Sequence, residues 1–224
     1  MKIAVFGATG PTGQQLVRQA IDRGHEVIAI GRRPDAFDQS LKDNPKFKSV
    51  QGDVFASASL QPALEGVEAV LSALGVAGAT SPFKSLHFYT PSMKAIVEAM
   101  KAQGIRRLVA VTSWFLHGRD ADAPKTVKWF AKPLMRVFIS GHLDDMDRME
   151  AFLATEKDAL DYTTVRPPGL NNGPLTQAQI LVAQDRQLVD EAKWSMNRAD
   201  VARFMLDCVD NEQYKHKCVS IGVK

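Results

Sequence analysis

Three glycines near the start of the chain have the spacing of a phosphate-binding turn. Gly7, Gly10 and Gly13 follow a short apolar run at residues 2–6 and precede a helix-forming stretch. Between a strand and a helix, such glycines permit a tight turn, close approach of the backbone to a pyrophosphate, and close packing of the helix on the strand. The helix N-terminus adds free N–H groups and a positive dipole end. The stretch therefore predicts a dinucleotide-binding site, and the alternative is a glycine-rich turn without a ligand.

The residues at the end of the second predicted strand indicate which dinucleotide is bound. An NAD site usually has Asp or Glu about 20 residues past the glycines, where it bonds the ribose hydroxyls. This chain has Arg32 and Arg33 there, after Gly31. Two guanidinium groups attract the 2′-phosphate of NADP, which an acid would repel. We therefore expect NADPH or NADP as the cofactor, and the alternative is a solvated arginine pair.

Two further strand ends carry residues that suit the rest of a dinucleotide. Asp53 closes the third predicted strand and is placed to accept a hydrogen bond from the adenine amino group, with Val54 packed on the ring. A simple turn aspartate is the alternative interpretation. The fourth strand leads to Leu74 and Gly75, and the glycine would let the backbone approach the cofactor. These residues are expected in the crevice at the carboxyl ends of the strands.

Ser113 is the candidate residue for contact with the reacting groups. It follows Thr112 at the end of the fifth predicted strand, so both are expected to face the crevice. The Ser113 hydroxyl could bond the nicotinamide carboxamide, a substrate carbonyl or a strand-end backbone group. Ser113 has neither an adjacent Asp–His pair nor a GxSxG setting, so the sequence does not indicate that it is a nucleophile. The five histidines lack metal-ligand spacing, so we expect no metal site.

Strands alternate with helices along the whole chain, which predicts an α/β fold. The predicted strands cover residues 2–6, 26–30, 47–53, 69–74, 107–113 and 161–166, with a short last strand at 217–221. We expect a single domain over residues 1–224, a Rossmann-like doubly wound parallel sheet in the order 3-2-1-4-5-6 with an extra C-terminal strand.

The helix and strand pattern loosens between residues 114 and 141, where basic side chains lie among aromatic and apolar ones. We interpret this segment as a lid-like or packing insertion over the substrate site, and docking on a membrane surface is a third alternative. Pro133 argues against a long helix here. The next helix is expected from Leu143 to Lys157, with Asp144 and Asp145 as capping charges near its positive end.

The composition excludes several classes of function. Against 28 basic residues there are 25 acidic ones, a balance without a strong nucleic-acid footprint. No apolar run reaches the roughly 18 residues of a membrane span, and the N-terminus lacks a signal-peptide pattern. Cys208 and Cys218 have no CxxC spacing, so reduced core thiols are expected. We expect a cytoplasmic protein, a monomer, that acts on a small molecule.

Several motifs together resemble the atypical short-chain dehydrogenases, in particular the NADPH-dependent flavin reductase and biliverdin-IXβ reductase group with its NmrA-like relatives. The resemblance spans nearly the whole chain. It implies a single Rossmann domain that binds NADPH and reduces flavins or linear tetrapyrroles. Its motifs are GATGPTG at 7–13, Arg32, GDV at 52–54, TSWFL at 112–116, DDMDRM at 144–149, RPPGLNNGPLT at 166–176 and SMNRADVARFML at 195–206.

The resemblance also implies roles for individual residues. Arg32 would hold the 2′-phosphate, and Asp53 and Val54 the adenine. The pyrophosphate would contact Gly7, Thr9, Gly10, Pro11, Thr12 and Gly13. The nicotinamide and its ribose would contact Leu74, Gly75, Ser113 and Pro167. The substrate pocket would comprise Trp114, Phe115, Met146, Pro168 and Gly169, although core packing is the alternative role of the two aromatic residues.

The chain departs from ordinary short-chain dehydrogenases because it lacks their Tyr-x-x-x-Lys general acid. Its tyrosines 89, 162 and 214 are followed four residues later by Met93, Arg166 and Cys218. This argues against alcohol dehydrogenase or sugar epimerase chemistry. The resembled reductases also tend to carry histidine where this chain has Met146 and Gly169, so its pocket differs from theirs.

The leading hypothesis is hydride transfer from NADPH to a planar acceptor, with Ser113 orienting the nicotinamide or the acceptor. The alternative is an NmrA-like redox sensor that binds NADP(H) and a protein partner without turnover.

Overall fold

Strands and helices alternate in the computed structural model, which describes residues 1–76, 86–116, 132–184, 186, 188 and 190–224, with backbone only at 132–139. Within these residues the strands are β1 (Lys2–Phe6), β2 (Glu26–Gly31), β3 (Phe47–Gln51), β4 (Ala69–Ser72), β5 (Arg107–Val111), β6 (Asp161–Arg166), β7 (Gly169–Asn171), β8 (Ile180–Gln184), β9 (Ser195–Asn197) and β10 (Lys217–Val223). The helices are α1 (Pro11–Asp22), α2 (Gln39–Lys42), α3 (Ser57–Leu60), α4 (Tyr89–Ala102), α5 (Lys132–Thr155) and α6 (Arg198–Asp210), with a 3-10 turn at Gln61–Leu64.

The main sheet has the order β3-β2-β1-β4-β5-β6-β10-β8. Neighbouring strands are parallel except β8, which pairs antiparallel with β10. The predicted order 3-2-1-4-5-6 and the extra C-terminal strand are therefore confirmed. Parallel strands bring their carboxyl ends to one edge, and these ends carry the residues that sequence reasoning selected.

Alternate residues of β1 enter two separate cores on opposite faces of the sheet. Ile3 and Val5 pack with α1 and α6, and Ala4 and Phe6 pack with α4 and the C-terminal half of α5. Both faces are thus covered by helices, as a buried parallel sheet requires.

Helix α5 begins at Lys132, which corrects the prediction of a start near Leu143. Pro133 lies in its first turn, where a missing N–H leaves no helical hydrogen bond unmade. Asp144 and Asp145 consequently lie in the interior of α5 and do not cap its first turn. Of the insertion predicted at 114–141, residues 117–131 lie outside the described residues.

Strand β8 has no counterpart in the sequence-based prediction. Its run ILVAQ is short, and it pairs antiparallel with β10 at the edge of an otherwise parallel sheet. No helix within the described ranges is both long enough and apolar enough to cross a membrane.

Candidate functional site

The glycine turn between β1 and α1 can be built only from glycine at two positions. Gly7 has φ +74°, and a Cβ there would lie 2.4 Å from the carbonyl oxygen of Ala73. A Cβ on Gly13 would lie 2.1 Å from the carbonyl oxygen of Gly7. The turn is thereby pressed against both the exit of β4 and the start of α1.

The first turn of α1 is open to a ligand. Its N-cap is Gly10, which has no side chain to cap the helix, and Pro11 follows. The N–H groups of such a first turn need an external acceptor, and a phosphate suits them. Thr9 is partly exposed, and Thr12 is buried. A cavity of about 280 Å³ adjoins this turn, lined by Thr9, Pro11, Gln14, Gln15, Asn172, Gly173, Arg198 and Ala199.

Arg32 and Arg33 follow the carboxyl end of β2 and are both exposed. Neither side chain has a hydrogen-bond or ion-pair partner among the described residues. Asp38, an acid in the same connection, is held by Arg18 at 2.5 Å, and this guanidinium lowers the pKa of Asp38. Two cations are thus available at the position where the ribose of a dinucleotide would lie.

Asp53 follows β3 and forms a local turn. One carboxylate oxygen accepts the N–H of Phe55 at 2.9 Å, and the Asp53 N–H donates to the hydroxyl of Ser59 at 3.0 Å. The turn interpretation of Asp53 is therefore satisfied without a ligand, although the residue stays exposed. Val54 beside it is 7% exposed.

The exit of β4 leaves room in the crevice. Leu74 is partly buried, and Gly75 is exposed, with no atom of the described residues within 4 Å of a Cβ built on it. On the other side of the crevice Pro167 is buried, and its carbonyl accepts the Trp114 N–H at 3.0 Å. An open glycine between β1 and β5 is what a cofactor lying over the strand ends requires.

Thr112 is part of a buried ionic network beneath the crevice. Its hydroxyl donates to Glu150 at 2.8 Å, and Arg166 binds both oxygens of the same carboxylate, through Nε at 2.9 Å and through Nη2. Burial alone would lower the pKa of Arg166, but the hydrogen bonds and charge of Glu150 outweigh it and raise that pKa. The Thr112 hydroxyl therefore donates its hydrogen bond within the protein and not to a ligand. This bond links the end of β5 to α5.

Ser113 is partly buried, and its hydroxyl accepts a long hydrogen bond of 3.4 Å from the Phe115 N–H. Trp114 is 2% exposed, and its indole N–H donates to the Ile221 carbonyl at 2.9 Å. Phe115 is 6% exposed and packs in the same cluster as Trp114. Trp114 and Phe115 therefore occupy core positions, which agrees with the alternative role of core packing. The Ser113 hydroxyl, in contrast, makes a weak hydrogen bond.

The other predicted pocket residues lie after the end of β6 and in the middle of α5. Met146 is partly buried where two hydrophobic clusters meet, and Pro168 is buried. Gly169 is exposed, and its N–H donates to the Trp194 carbonyl at 3.0 Å. Met146 is the one of these three whose side chain is both apolar and partly accessible.

Two of the resemblance motifs, far apart in sequence, hold each other in place. Asp200 in the first turn of α6 accepts the N–H and the hydroxyl of Thr176, at 2.9 and 3.0 Å. Asn197 donates to the Pro174 carbonyl at 2.8 Å. The loop after β6 is thus fixed to α6 beside the glycine turn.

Asp145 is a site residue whose role sequence reasoning missed. It is 0% exposed and accepts the N–H groups of Phe88 and Tyr89, each at 2.7 Å, so a residue of α5 caps the N-terminus of α4. Burial opposes ionisation of Asp145, but the hydrogen bonds from Phe88, Tyr89 and Thr90 outweigh it and lower its pKa. Its partners lie 55 to 57 residues away, so no local pattern could have shown them.

Replacing Asp145 by Asn is expected to lower the free energy of unfolding by about 1.5–3 kcal/mol at neutral pH, because hydrogen bonds to a charge are worth that much. A carboxyl whose pKa is lowered by folding stabilises the protein above its unfolded pKa, and the contribution disappears as the pH falls through the native pKa. The difference between wild type and Asp145→Asn should therefore shrink in acid, which urea unfolding at several pH values measures. Exposed Asp158→Asn is the control, and an equal loss there would refute the capping role.

The strand order, the glycine turn and the open helix N-terminus define a dinucleotide-binding protein of the Rossmann class. Within that class, the chain belongs to the NAD(P)H-binding family, whose sequence profile it matches over residues 7–212. This family membership supports the resemblance to the atypical short-chain dehydrogenases and their NmrA-like relatives.

Among its relatives is the photosystem II assembly factor Ycf39 of Synechocystis, 29% identical over 97% of this chain. The chain spans 61% of the length of that relative. ChuY, an anaerobillin reductase from Escherichia coli, has the same fold with TM-score 0.78 at 19% identity, over 100% of this chain and 97% of ChuY. A short-chain dehydrogenase/reductase from Veillonella parvula, in complex with NADP, gives TM-score 0.73 at 18% identity, over 99% of this chain and 94% of that protein.

Proposed function

We propose that the protein is an NADPH-dependent reductase that passes hydride to a planar acceptor, a flavin such as FMN or riboflavin or a linear tetrapyrrole such as biliverdin. The observation that carries the proposal is the exposed pair Arg32 and Arg33, whose side chains have no partner in the described part of the chain, at the edge of a crevice whose helix N-terminus has no side-chain cap. Membership of an NAD(P)H-binding family supports it, and so does the reductase name of the ChuY fold neighbour.

The cofactor is held in this proposal by residues that follow β1, β2 and β4. The first turn of α1 binds the pyrophosphate, Arg32 and Arg33 bind the 2′-phosphate, and Gly75 gives room for the nicotinamide ribose. Bound NADPH supplies the hydride. Ser113 orients the nicotinamide or the acceptor, because within the described residues its hydroxyl is engaged by a single long hydrogen bond.

Acceptor chemistry follows from the tyrosine–lysine pair that the sequence lacks. Tyr162 and Tyr214 lie near the amino end of β6, since Tyr162 is the second residue of that strand and Tyr214 precedes its partner β10. No tyrosine–lysine pair at i, i+4 exists in the chain. A flavin accepts hydride without a strong protein acid, whereas reduction of an isolated ketone needs one.

The test is steady-state NADPH oxidation with FMN, riboflavin and biliverdin as acceptors, with a simple ketone as the negative acceptor. Turnover with at least one planar acceptor and none with the ketone is expected. Tight NADPH binding without turnover on any planar acceptor would refute the reductase assignment.

A second candidate function is a non-catalytic NADP(H)-binding regulator. The observation that favours it is the similarity to Ycf39, which carries the name of an assembly factor. In this case NADP(H) binding would alter association with a protein partner, and the same assay would give binding without turnover.

A further inference from the structure

Arg198 lies in the wall of the cavity beside the glycine turn. It is the first residue of α6, and it lines this cavity together with Thr9 and with Pro11 of α1. Nη1 of Arg198 donates to the side-chain oxygen of Asn172, another lining residue, at 2.7 Å. None of the described residues that line the cavity is acidic. The cavity therefore offers one positive charge and no negative charge to a group that enters it.

Most of the hydrogen-bonding capacity of Arg198 is unused. Within the described residues its guanidinium makes a single hydrogen bond, to a neutral amide, although it carries five N–H donors. Asp200, the acid in the first turn of the same helix, is engaged by Thr176 and Arg203. Arg198 also stands at the end of α6 where the helix dipole disfavours a cation. An anion in the cavity would bind the remaining donors and offset this unfavourable placement.

The start of α6 is fixed to α1 and to the loop after β7. The Gln19 side chain of α1 is 9% exposed and donates to the Ala199 carbonyl at 2.9 Å. Gly173 lies close against Asn197, since a Cβ on Gly173 would be 2.4 Å from the side-chain oxygen of Asn197. The backbone of Arg198 is therefore anchored near the first turns of α1 before any ligand binds, which lowers the ordering cost of binding.

The size and position of the cavity indicate which part of the cofactor it fits. Its volume is about 280 Å³. Pockets that hold a whole small ligand have about 300–1,000 Å³, so this cavity suits a segment of a dinucleotide. It adjoins the start of α1, whose first N–H groups need an acceptor. A pyrophosphate carries two negative charges, and its oxygens can accept from both a helix N-terminus and a guanidinium fork.

We infer that Arg198 binds the pyrophosphate of NADP(H), together with the N–H groups of α1, and thereby sets the affinity for NADPH and NADH alike. The inference rests on the cofactor arrangement of the proposed function and does not depend on turnover. Arg32 binds a phosphate that only NADPH has, whereas Arg198 binds a group that both cofactors have. The two arginines therefore contribute separately, Arg32 to selectivity and Arg198 to affinity.

The test is calorimetric titration of NADPH and NADH into wild type, Arg198→Gln and Arg198→Lys. Arg198→Gln is expected to raise both dissociation constants about 10- to 100-fold, because a charge-assisted contact with the pyrophosphate is lost. Arg198→Lys keeps the charge without the planar fork, so it should lose less affinity. Arg106→Gln is the matched control. This exposed arginine pairs with Asp161 and precedes β5 at the opposite edge of the sheet, so its loss should leave both constants unchanged.

Two further measurements separate a contact with the pyrophosphate from a structural role. Adenosine 2′-monophosphate has the adenine and the 2′-phosphate of NADPH but no pyrophosphate, so its dissociation constant should be the same for wild type and Arg198→Gln. Added salt should weaken NADH binding more steeply in wild type than in Arg198→Gln, because salt screens the charge pair that the variant lacks. An arginine that only holds the loop after β7 would not produce this difference in salt dependence.

Unchanged binding of both cofactors in Arg198→Gln would overturn the inference and leave the proposed function intact. A loss confined to NADPH, or one shared by adenosine 2′-monophosphate, would overturn it as well. Equal losses in the Gln and Lys variants, with the salt dependence of wild type, would show a structural role and also overturn it. If wild type binds both cofactors with the expected dependence on Arg198 yet reduces no planar acceptor, the reductase assignment fails and the inference stands.

Discussion

Replacing Glu150 by Gln is expected to lower the free energy of unfolding by about 3–5 kcal/mol, because it removes the counter-charge of a buried arginine. Arg166 is 4% exposed and Glu150 is 7% exposed, so water cannot solvate the guanidinium that the substitution leaves behind. Glutamine keeps one oxygen that can accept from Thr112, but its NH2 group then faces an N–H of Arg166 in place of the second carboxylate oxygen. Chemical denaturation of wild type and variant measures the difference.

A surface pair gives the control for this effect. Glu191 pairs with Arg186, and their side chains are 49% and 44% exposed. Glu191→Gln should change stability by less than about 1 kcal/mol, the usual range for an exposed pair. The double variant Glu150→Leu/Arg166→Met should be more stable than Glu150→Gln, because apolar replacement of a whole buried pair leaves no uncompensated charge. If Glu150→Gln and Glu191→Gln destabilise the protein equally, the buried network does not hold α5 to the sheet.

Replacing Arg32 by Ala should weaken NADPH binding by about 10- to 100-fold, since a hydrogen bond to a charged group is worth about 1.5–3 kcal/mol. NADH has no 2′-phosphate, so its affinity should change by less than about threefold. Calorimetric titration of both cofactors into wild type and variant provides the four dissociation constants.

Arg33→Ala shows whether the second arginine shares the phosphate, and its effect should be in the same direction. Arg18→Ala is the matched control, because Arg18 is committed to Asp38. If Arg32→Ala weakened the binding of NADPH and of NADH equally, the arginine would support the fold of the site and would not bind the 2′-phosphate. At higher salt the NADPH preference should shrink, as expected for exposed charges.

The parts of the site that sequence reasoning located are those built from neighbouring residues. The spacing of Gly7, Gly10 and Gly13 is enough to predict the turn that they form. Arg32 could be placed because it follows an apolar run that is easily recognised as a strand. The exits of β3, β4 and β5 were found in the same way, because a parallel sheet brings successive carboxyl ends to one edge.

Contacts between distant segments were not predictable from the sequence. Asp145 is a residue type that often caps helices, and the sequence placed it near the start of its own helix. Because α5 begins at Lys132, Asp145 lies in the interior of that helix. Thr112 was assigned to the crevice by its position at a strand end, yet Glu150, 38 residues later, takes its hydroxyl. Trp114 fits either a pocket or a core, and only the packing distinguishes the two.

The most direct test of the reductase assignment is a single-turnover experiment with NADPH deuterated at C4 of the nicotinamide. The protein–NADPH complex is mixed with FMN, and loss of reduced nicotinamide and of oxidised flavin is followed together. Equal rates for the two losses, slowed by deuterium, are expected for direct hydride transfer. NADPH that binds tightly and stays reduced in the presence of FMN, riboflavin and biliverdin would contradict the reductase assignment and favour the regulator.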